Sequence, residues 1–373
     1  MGIARVDGKV YFVEGALPNE KVIFTKTKEK KNFGLGRVVE ILTPSSSRVK
    51  PVCPYYNKCG GCQYQHLDYE KEVHYKAEQV KENLSRIGSF RDYSFDGIMP
   101  SPLHYGYRSS ITLHRSEAGY GYFALDNKTI ITIEKCPLAE DVINRAIKDL
   151  NVLDAKRDVT LKSDYKGNVW IKGYLGHRFF KDSYLGTELT FSPRAFSQAN
   201  RQVAKSMVKK VRELMQDEER EILFDFYCGT GFFGMLLRDI FKSVVGIDES
   251  GIAIDCAKAT KKDLGMDNVR FYCGVAEEKY PIYYEKLRRK KNTIILDPPR
   301  SGISKRIAVW LSELKDAESL CYISCDSAML ARDAKIITQN DRWKLANVSC
   351  FDMFPRTKHM ESIALFKSNK SVR

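Results

Sequence analysis

A cysteine in the C-terminal third of the chain stands where a nucleophile could act. Cys325 follows the apolar run Leu320–Ile323, with one serine between them. A thiol just past the carboxyl end of a buried strand is well placed to attack a ligand. A purely structural cysteine, like Cys321 inside the same run, is the alternative.

A carboxylate further along the chain could act as the matching base. Glu361 lies where a loop meets the apolar, strand-like run Ile363–Phe366. Such a junction holds a side chain firmly enough for general-base work. His359 is a competing base, and a surface salt bridge is the other interpretation of Glu361.

Four further cysteines have a pattern typical of a metal site. Cys53, Cys59 and Cys62 are separated by five and two residues, and the two glycines between the last pair permit a tight turn. Cys136 is the best candidate for a fourth ligand, and His66 could substitute. Four thiolates suit either tetrahedral zinc or an iron–sulfur cluster, and the spacing alone does not distinguish them. Buried cysteines that bind no metal are the remaining alternative.

A strand, a glycine loop and a helix succeed one another in the C-terminal half. They cover Ile222–Phe224, Asp225–Gly231 and Phe232–Leu237. Gly229 and Gly231 let the backbone approach a ligand closely. Because the loop has no Lys and is not G-x-G-x-x-G, neither a triphosphate nor a dinucleotide is the expected ligand. The acid and small residues suit S-adenosylmethionine, whereas an ordinary tight turn is the alternative.

Four more predicted strands, separated by helical segments, make the C-terminal half a doubly wound α/β sheet. They are Val244–Asp248, Asn268–Cys273, Thr293–Leu296 and Leu320–Ser324. Ligands of such sheets bind outside the carboxyl ends of the strands, where Asp225, Asp248, Asp297 and Cys325 all fall. Asp248 comes about 20 residues after the glycines, the usual distance for a carboxylate that binds ribose hydroxyls.

The N-terminal half is predicted to be mostly β. Residues 1 to 43 indicate a small OB-like module, a common RNA-binding shape, with a hairpin turn at Asp7-Gly8 and a Lys-rich loop before its last strand. The alternative is an N-terminal β module that only covers the end of the protein and binds no ligand. After a linker at 43–47, we expect a helix from Val73 to Ile87, a mostly antiparallel β insert over 98–190, and a helix from Asn200 towards Met215.

Composition favours a polyanionic partner. The 373 residues carry a formal net charge of +14, and dense basic runs favour nucleic acid over a merely soluble surface. These runs are Lys26, Lys28, Lys30 and Lys31, and then Arg288, Arg289, Lys290 and Lys291. Arg108, Lys162 and Lys172 could also face RNA, although surface solvation explains each equally well. Without a signal peptide or a membrane span, the ten cysteines predict reduced thiols or metal ligands in a cytoplasm, not disulfides.

A thiol beside a methyl donor has one well-defined use. Carbon 5 of a pyrimidine is too electron-poor to attack a methylsulfonium directly. Addition of a thiolate at carbon 6 makes an enolate that is nucleophilic at carbon 5. A base must then remove the carbon-5 proton before the thiolate can leave. Cys325 and Glu361 together supply both groups.

These motifs together resemble the RNA uracil carbon-5 methyltransferases, the family of bacterial 23S rRNA and transfer RNA 5-methyluridine enzymes. They cover nearly the whole chain in family order: Cys53…Cys59-Gly-Gly-Cys62, Cys136-Pro-Leu, Phe196-Ser-Gln198-Ala-Asn200, Asp225-Phe-Tyr-Cys-Gly-Thr-Gly231, Leu296-Asp-Pro-Pro-Arg-Ser-Gly302, Ser324-Cys325-Asp326 and Phe354-Pro-Arg-Thr-Lys-His-Met-Glu361.

The resemblance implies a role for each motif. Cys325 would be the nucleophile and Glu361 the base. The methyl donor, S-adenosylmethionine, would be bound by Gln198, Tyr227, Gly229, Gly231, Asp248 and Asp297. Cys53, Cys59, Cys62 and Cys136 would hold a [4Fe–4S] cluster, which favours iron over zinc.

The resemblance also implies three domains. They are a TRAM-like OB-type module at 1–45, a central RNA-binding domain with the cluster loop at 46–190, and an S-adenosylmethionine-dependent methyltransferase domain at 191–373. Two departures from the family pattern stand out. We expect the module to lack its first strand and its barrel to be incomplete. Asp326-Ser327 replaces the usual Asn-Pro after the nucleophile, which leaves the geometry of that turn open.

The expected activity is methylation of a uridine in 23S rRNA by a monomer. A transfer RNA T-loop uridine is the alternative substrate, and a non-enzymatic RNA-binding iron–sulfur protein is the alternative class. Amino-methyltransferases place an aromatic residue after Asp-Pro-Pro, where this chain has Arg300. RNA cytosine carbon-5 enzymes place a cysteine in that motif, which this chain lacks.

Overall fold

The computed structural model of the protein describes residues 1–150, 158–171, 179–215, 221–289 and 291–369. Within these ranges the strands form four sheets. No helix in the described part of the chain is long and apolar enough to cross a membrane.

The N-terminal module is a four-stranded sheet in the order β1-β2-β4-β3. Its strands are β1 Gly2–Val6, β2 Lys9–Glu14, β3 Lys21–Glu29 and β4 Phe33–Thr43. The predicted hairpin turn at Asp7-Gly8 is confirmed: both residues have positive φ, 49° and 78°, as a two-residue turn of this type requires.

The predicted Lys-rich loop is wrong in extent. Lys26 and Lys28 lie on β3, and only the turn at 30–32 separates β3 from β4. The lysines misled the prediction because β3 is an edge strand. Its last five residues are exposed on both faces, so the apolar alternation that marks a strand is lost there, while charges are tolerated.

The predicted helix after the cysteine-rich segment is confirmed as α1 Tyr69–Arg86. The carboxylate of Asp68 caps it by accepting from the N–H groups of Glu70 and Lys71. The chain then enters β5 Ser94–Met99.

The predicted antiparallel β insert is confirmed in its described residues. It comprises β6 Ser110–Ser116, β7 Gly119–Phe123, β8 Ile130–Thr132, α2 Asp141–Asp149, β9 Val159–Ser163 and β10 Val169–Ile171, with sheet order β10-β9-β6-β7-β8. A separate hairpin follows, β11 Phe180–Tyr184 and β12 Thr187–Phe191. Helix α2 was not predicted, because it spans only nine residues and has no side-chain cap at its start.

The large sheet and its helices form the C-terminal domain. The elements are α3 Arg201–Leu214, β13 Ile222–Phe226, α4 Phe232–Leu237, β14 Ser243–Asp248, α5 Gly251–Asp263, β15 Val269–Cys273, α6 Ala276–Leu287, β16 Asn292–Leu296, α7 Lys305–Glu313, β17 Ala317–Ser324, α8 Ser327–Ile337, β18 Trp343–Phe351 and β19 Glu361–Ser368.

The strand order in this sheet is β15-β14-β13-β16-β17-β19-β18-β5. The five predicted strands, from β15 to β17, are parallel, and β19 runs antiparallel to both β17 and β18. Apolar residues of α1, α6, α7 and α8 cover one face, and those of α3, α4 and α5 cover the other. The protein is therefore a mixed α/β fold with a doubly wound sheet, as predicted.

The edge strand β5 comes from the segment assigned to the central domain and pairs in parallel with β18, about 250 residues later in the chain. The hairpin β11–β12, which comes from that segment except for its last residue, packs Tyr184 and Phe191 into the core of the C-terminal domain. The predicted domain boundaries at 45 and 190 stay predictions. The two larger predicted domains share packed elements.

Candidate active site

The carboxyl ends of β13 and β16 border a crevice, because the chain reverses its direction across the sheet between these two strands. Strands β14 and β15 lie on one side of β13, and β16 and β17 lie on the other. Open α/β sheets bind their ligands at such a point. Tyr227 follows β13 and Asp297 follows β16, so both predicted binding residues border the crevice.

The glycine loop is held by Asp248 at the end of β14. One carboxylate oxygen accepts from the N–H of Gly229 over 2.9 Å, and the other accepts from the N–H of Ser250 over 2.8 Å. Gly229 has a left-handed φ of 53°, and a Cβ built on it meets no atom within 4 Å. The space beside this glycine is therefore open to a ligand.

Tyr227 is fixed in an uncommon conformation beside the loop. Its φ is 58°, and its N–H donates to the hydroxyl of Tyr280 over 2.9 Å. The two rings meet edge to face, with their centres 5.1 Å apart. Positive φ in a bulky residue is strained unless its surroundings hold it, and such positions concentrate at functional sites.

Gly231 and Asp225 have packing roles that the sequence did not indicate. A Cβ on Gly231 would lie 2.8 Å from the ring of Phe271, so this glycine permits close packing. Asp225 is fully buried and accepts from the N–H of Gly234 over 2.8 Å. The expectation that Asp225 lies open at the ligand edge is therefore wrong. It precedes the last residue of β13 and points into the interface with α4.

Two carboxyl groups, those of Asp248 and Asp297, stand at the crevice, and Asp225 is buried behind them. Burial, together with the charge of Asp248, raises the pKa of Asp297 to about 7. Burial likewise raises the pKa of Asp225 to about 8. Carboxylates that destabilise one another favour a cationic ligand. S-adenosylmethionine carries both a sulfonium and an ammonium group.

Gln198 is buried and lies in the connection between β12 and α3. This connection is supported by Lys162, whose ammonium group donates to the carbonyl of Ala195 and, over 3.2 Å, to the hydroxyl of Ser197. Both interpretations of Lys162 from the sequence, RNA contact and surface solvation, are wrong because the side chain is buried. Lys172 lies outside the described residues.

Cys325 lies directly after β17 and directly before α8. Asp326 caps α8 by accepting from the N–H groups of Ala328 and Met329, each over 3.0 Å. The unusual Asp-Ser pair thus closes the turn with a regular N-cap. Burial and the charge of Glu361 raise the pKa of the Cys325 thiol to about 11, and the charge of Arg300 partly opposes them.

The register of the strands brings Glu361 to Cys325. The last pair between β17 and β19 is Ser324 with Ser362, so Cys325 and Glu361 are the next two residues at the same end of neighbouring strands. Burial, together with the charge of Asp297, raises the pKa of Glu361 well above its usual range. A carboxylate with a raised pKa is a better proton acceptor near neutral pH.

His359 is the weaker base of the two candidates. Burial and the nearby charges of Arg300 and Lys358 lower its pKa to about 4. A neutral imidazole of this low basicity takes up a proton poorly near neutral pH. The electrostatics therefore favour Glu361.

Arg300 is the functional candidate that sequence reasoning missed. It was noted only because it is not aromatic, yet its charge acts on the thiol of Cys325, the carboxyl group of Glu361 and the ring of His359. The available signal was a cationic residue four positions after a parallel strand, at the edge where ligands bind.

The four predicted ligand cysteines line one pocket. The first three lie on a loop that is pinned to β7, where the N–H of Gly60 donates to the carbonyl of Phe123 over 2.9 Å. Cys136 is anchored separately, since its N–H donates to the side chain of Asn144 on α2 over 2.8 Å. His66 is held elsewhere, with its ring 2.5 Å from the hydroxyl of Tyr56.

Among the described residues, no three His, Cys, Asp or Glu side chains are arranged to hold one metal ion. A buried amide also points to this pocket: Gln65 lines it, accepts from the N–H of Cys53 over 3.1 Å, and has no hydrogen-bond partner for its own NH₂ group. An orphaned donor beside thiols indicates that an acceptor belongs there.

Comparison with known proteins gives matches over nearly the whole chain. The profile of the tRNA (Uracil-5-)-methyltransferase family matches residues 187–369. An uncharacterized RNA methyltransferase of Aquifex aeolicus is 32% identical over 98% of this chain and 95% of its own length. The 23S rRNA (uracil(1939)-C(5))-methyltransferase RlmD of Aliivibrio fischeri is 30% identical over 98% and 93%.

A solved structure has the same fold. The tRNA (uracil-54, C5)-methyltransferase of Pyrococcus abyssi, in complex with S-adenosyl-L-homocysteine, superimposes with a TM-score of 0.76 at 23% identity. The similarity covers 98% of this chain and 97% of that one.

Proposed function

The chain belongs to the RNA uracil-5 methyltransferase family, and on that premise we propose that it methylates carbon 5 of a uridine in 23S rRNA. In this proposal S-adenosylmethionine is the methyl donor, and the reaction passes through a covalent bond between Cys325 and carbon 6 of the base.

One observation carries the proposal: the reacting groups stand in a row along one edge of the sheet. Strands β13, β16, β17 and β19 are consecutive neighbours, and Tyr227, Asp297, Cys325 and Glu361 lie at their ends on that edge. Neighbouring strands are about 4.8 Å apart. A methyl donor over the first two ends would therefore lie beside a base held over the last two.

The proposed reaction uses the thiol first and the carboxylate last. The thiolate of Cys325 adds to carbon 6, and the electrons of the carbon 5–carbon 6 double bond move into an enolate. Carbon 5 then attacks the methyl group, and S-adenosylhomocysteine leaves. Glu361 removes the carbon-5 proton, the double bond re-forms, and the thiolate is expelled.

The charges at the site support this order of events. Arg300 stabilises the thiolate form of Cys325, whereas an ionised Glu361 opposes it. Glu361 that is protonated at the start would remove that opposition while the thiolate forms. That proton must pass to solvent before the last step, because only the ionised carboxylate can accept the proton from carbon 5.

Relatives named for their substrate support ribosomal RNA as the target. The Aliivibrio fischeri enzymes named 23S rRNA (uracil(1939)-C(5))-methyltransferase RlmD cover 98% of this chain, including its N-terminal module. That module is the proposed TRAM-like RNA-binding arm, because lysines crowd its exposed edge strand β3. The transfer RNA enzyme of Pyrococcus abyssi shares only the fold, so transfer RNA is the second candidate.

Cys53, Cys59, Cys62 and Cys136 are proposed to hold a [4Fe–4S] cluster. Each thiolate of such a cluster binds a different iron atom, so the sulfurs stand further apart than the four ligands of one zinc ion. Four cysteines that line one pocket could each bind one iron atom of such a cluster. The unpaired amide of Gln65 could then donate to a cluster sulfur. The cluster would cross-link two segments of the chain, and methyl transfer requires no electron from it.

Transfer of a labelled methyl group tests the proposal. Purified protein, labelled S-adenosylmethionine and either 23S rRNA fragments or transfer RNA should yield 5-methyluridine in the ribosomal RNA, and Cys325→Ala should yield none. Label in transfer RNA alone would move the function to the second candidate. Binding of RNA without label in either substrate would favour a non-enzymatic RNA-binding protein.

A further inference from the structure

We propose that Gln63 is a positioning residue for the base Glu361, because its side chain joins the cysteine loop to the base loop. The cysteine loop comprises residues 53–66, and the base loop comprises residues 352–360 and leads directly into Glu361. This inference rests on the proposed function, in which Glu361 removes the carbon-5 proton.

The amide of Gln63 bridges the two loops. Its NH₂ group donates to the carbonyl of Gly60 over 2.9 Å, and its oxygen accepts from the N–H of Lys358 over 3.1 Å. Only one orientation of an amide satisfies both partners, because one requires a donor and the other an acceptor. Gly60 lies between two of the cysteines, and Lys358 lies three residues before Glu361.

The main chains of the two loops are joined beside this bridge. The N–H groups of Gln63 and Tyr64 both donate to the carbonyl of Arg356, each over 3.0 Å. The N–H of Arg356 in turn donates to the buried carboxylate of Glu72 on α1 over 2.7 Å. Arg356 has a left-handed φ of 68°, which a non-glycine residue keeps only when its surroundings hold it.

Little chain separates these anchors from the base. The N–H of His359 donates to the hydroxyl of Thr357 over 3.2 Å, and that hydroxyl donates to the carbonyl of Phe354 over 2.8 Å. The side chain of Met360 is buried. A shift at Lys358 therefore reaches Glu361 through only two residues. Misplacement of a catalytic group by about 1 Å costs on the order of 100-fold in rate.

The bridge acts on the base and leaves the other reacting groups in place. Cys325 is held by the pairing of β17 and by the cap of α8. Asp248 holds the glycine loop at the far side of the crevice. Addition and methyl transfer therefore do not depend on Gln63, whereas proton removal does.

The test compares Gln63→Ala in the wild-type and Glu361→Gln backgrounds under single-turnover conditions. Release of methylated RNA should slow roughly 10- to 100-fold, while methyl transfer and donor affinity change by less than about twofold. The covalent complex should accumulate. In the Glu361→Gln background, Gln63→Ala should slow RNA release by less than about twofold more, because the base that Gln63 positions is already absent.

Two further variants complete the design. Gln63→Glu keeps an acceptor for the N–H of Lys358 but loses the donor to the carbonyl of Gly60, so it should restore only part of the release rate. Gln339→Ala removes an exposed glutamine that donates to the hydroxyl of Ser312, and it should release RNA at the wild-type rate. Iron content is measured in each preparation, and Gln63→Ala should retain it.

Three outcomes overturn the inference. The first is a normal rate of RNA release by Gln63→Ala, and the second is equal slowing of RNA release in both backgrounds. The third is loss of iron by Gln63→Ala together with equally slow RNA release by Gln63→Glu. Failure of the proposed function looks different, since wild-type protein would then form neither 5-methyluridine nor a covalent complex.

Discussion

Cys325 and Glu361 leave neighbouring antiparallel strands at the same end, immediately beyond the pair formed by Ser324 and Ser362. The sheet therefore fixes the separation of thiol and carboxylate, and no flexible loop has to close to bring them together. A nucleophile and a base set this way can act in sequence on one ring.

The first prediction separates the roles of these two residues. Cys325→Ala removes the only route to the enolate, so methylation should vanish while donor binding survives. Glu361→Gln should permit addition and methyl transfer but block elimination, which leaves a denaturation-resistant protein–RNA complex on a gel. General bases contribute about 10²–10⁴-fold, so slow release from this complex is expected. Normal turnover by Glu361→Gln would contradict the assignment.

The second prediction concerns the acidity of the thiol. The charge of Glu361 raises the pKa of Cys325, and that of Arg300 lowers it, around a value of about 11. Alkylation with iodoacetamide as pH rises measures this midpoint, because only the thiolate reacts. Glu361→Gln should move the midpoint to lower pH, and Arg300→Gln should move it to higher pH. If both variants moved the alkylation midpoint in the same direction, the opposing effects of Glu361 and Arg300 on the thiol would be disproved.

The third prediction links donor binding to pH. Burial raises the pKa of Asp297 to about 7, so its carboxyl group is neutral below that pH and charged above it. Because the donor is cationic, its affinity should rise several-fold between pH 6 and pH 8. Asp297→Asn should weaken binding at pH 8 and flatten the dependence. Calorimetry with S-adenosylmethionine measures both effects, and an unchanged slope in the variant would exclude Asp297 as the titrating group.

The fourth prediction tests the N-terminal module as an RNA arm. Replacement of Lys26, Lys28, Lys30 and Lys31 by Ala should weaken binding and reduce the salt slope by about 0.7–0.9 for each phosphate that the protein no longer neutralises. Donor affinity should not change, because β3 and its turn are outside the large sheet. Filter binding of rRNA fragments at several salt concentrations measures the slope. The control replaces Lys258, Lys261 and Lys262 on α5, and equal effects of the two sets would refute a specific arm.

The fifth prediction concerns the four cysteines that line the pocket. Anaerobically purified protein should contain iron and absorb broadly near about 400 nm, as thiolate-bound clusters do. Cys59→Ala should lose this absorbance and fold less efficiently. The buried Cys321 on β17 is outside the pocket, and Cys321→Ala should retain the colour. Stoichiometric zinc without iron would rule out the cluster.

The sequence by itself determined the C-terminal sheet and the residue types at its edge. Runs such as Ile222–Phe224 and Val244–Asp248 are apolar and bounded by turn residues, so they predict buried parallel strands without any knowledge of their partners. A carboxylate or a thiol directly after such a run lies at the ligand-binding edge by topology alone. Asp248, Asp297 and Cys325 were predictable for this reason.

Tertiary structure decided what depends on pairing between distant segments. Sequence could not show that β5 completes a sheet formed mostly more than 100 residues later, that Lys162 is buried, or that Asp225 points into a helix. Each of these depends on which surfaces meet, and a local pattern carries no such information. The link from Gly60 through Gln63 to Lys358 has the same origin, because it joins two loops about 295 residues apart only when α1 docks against the large sheet.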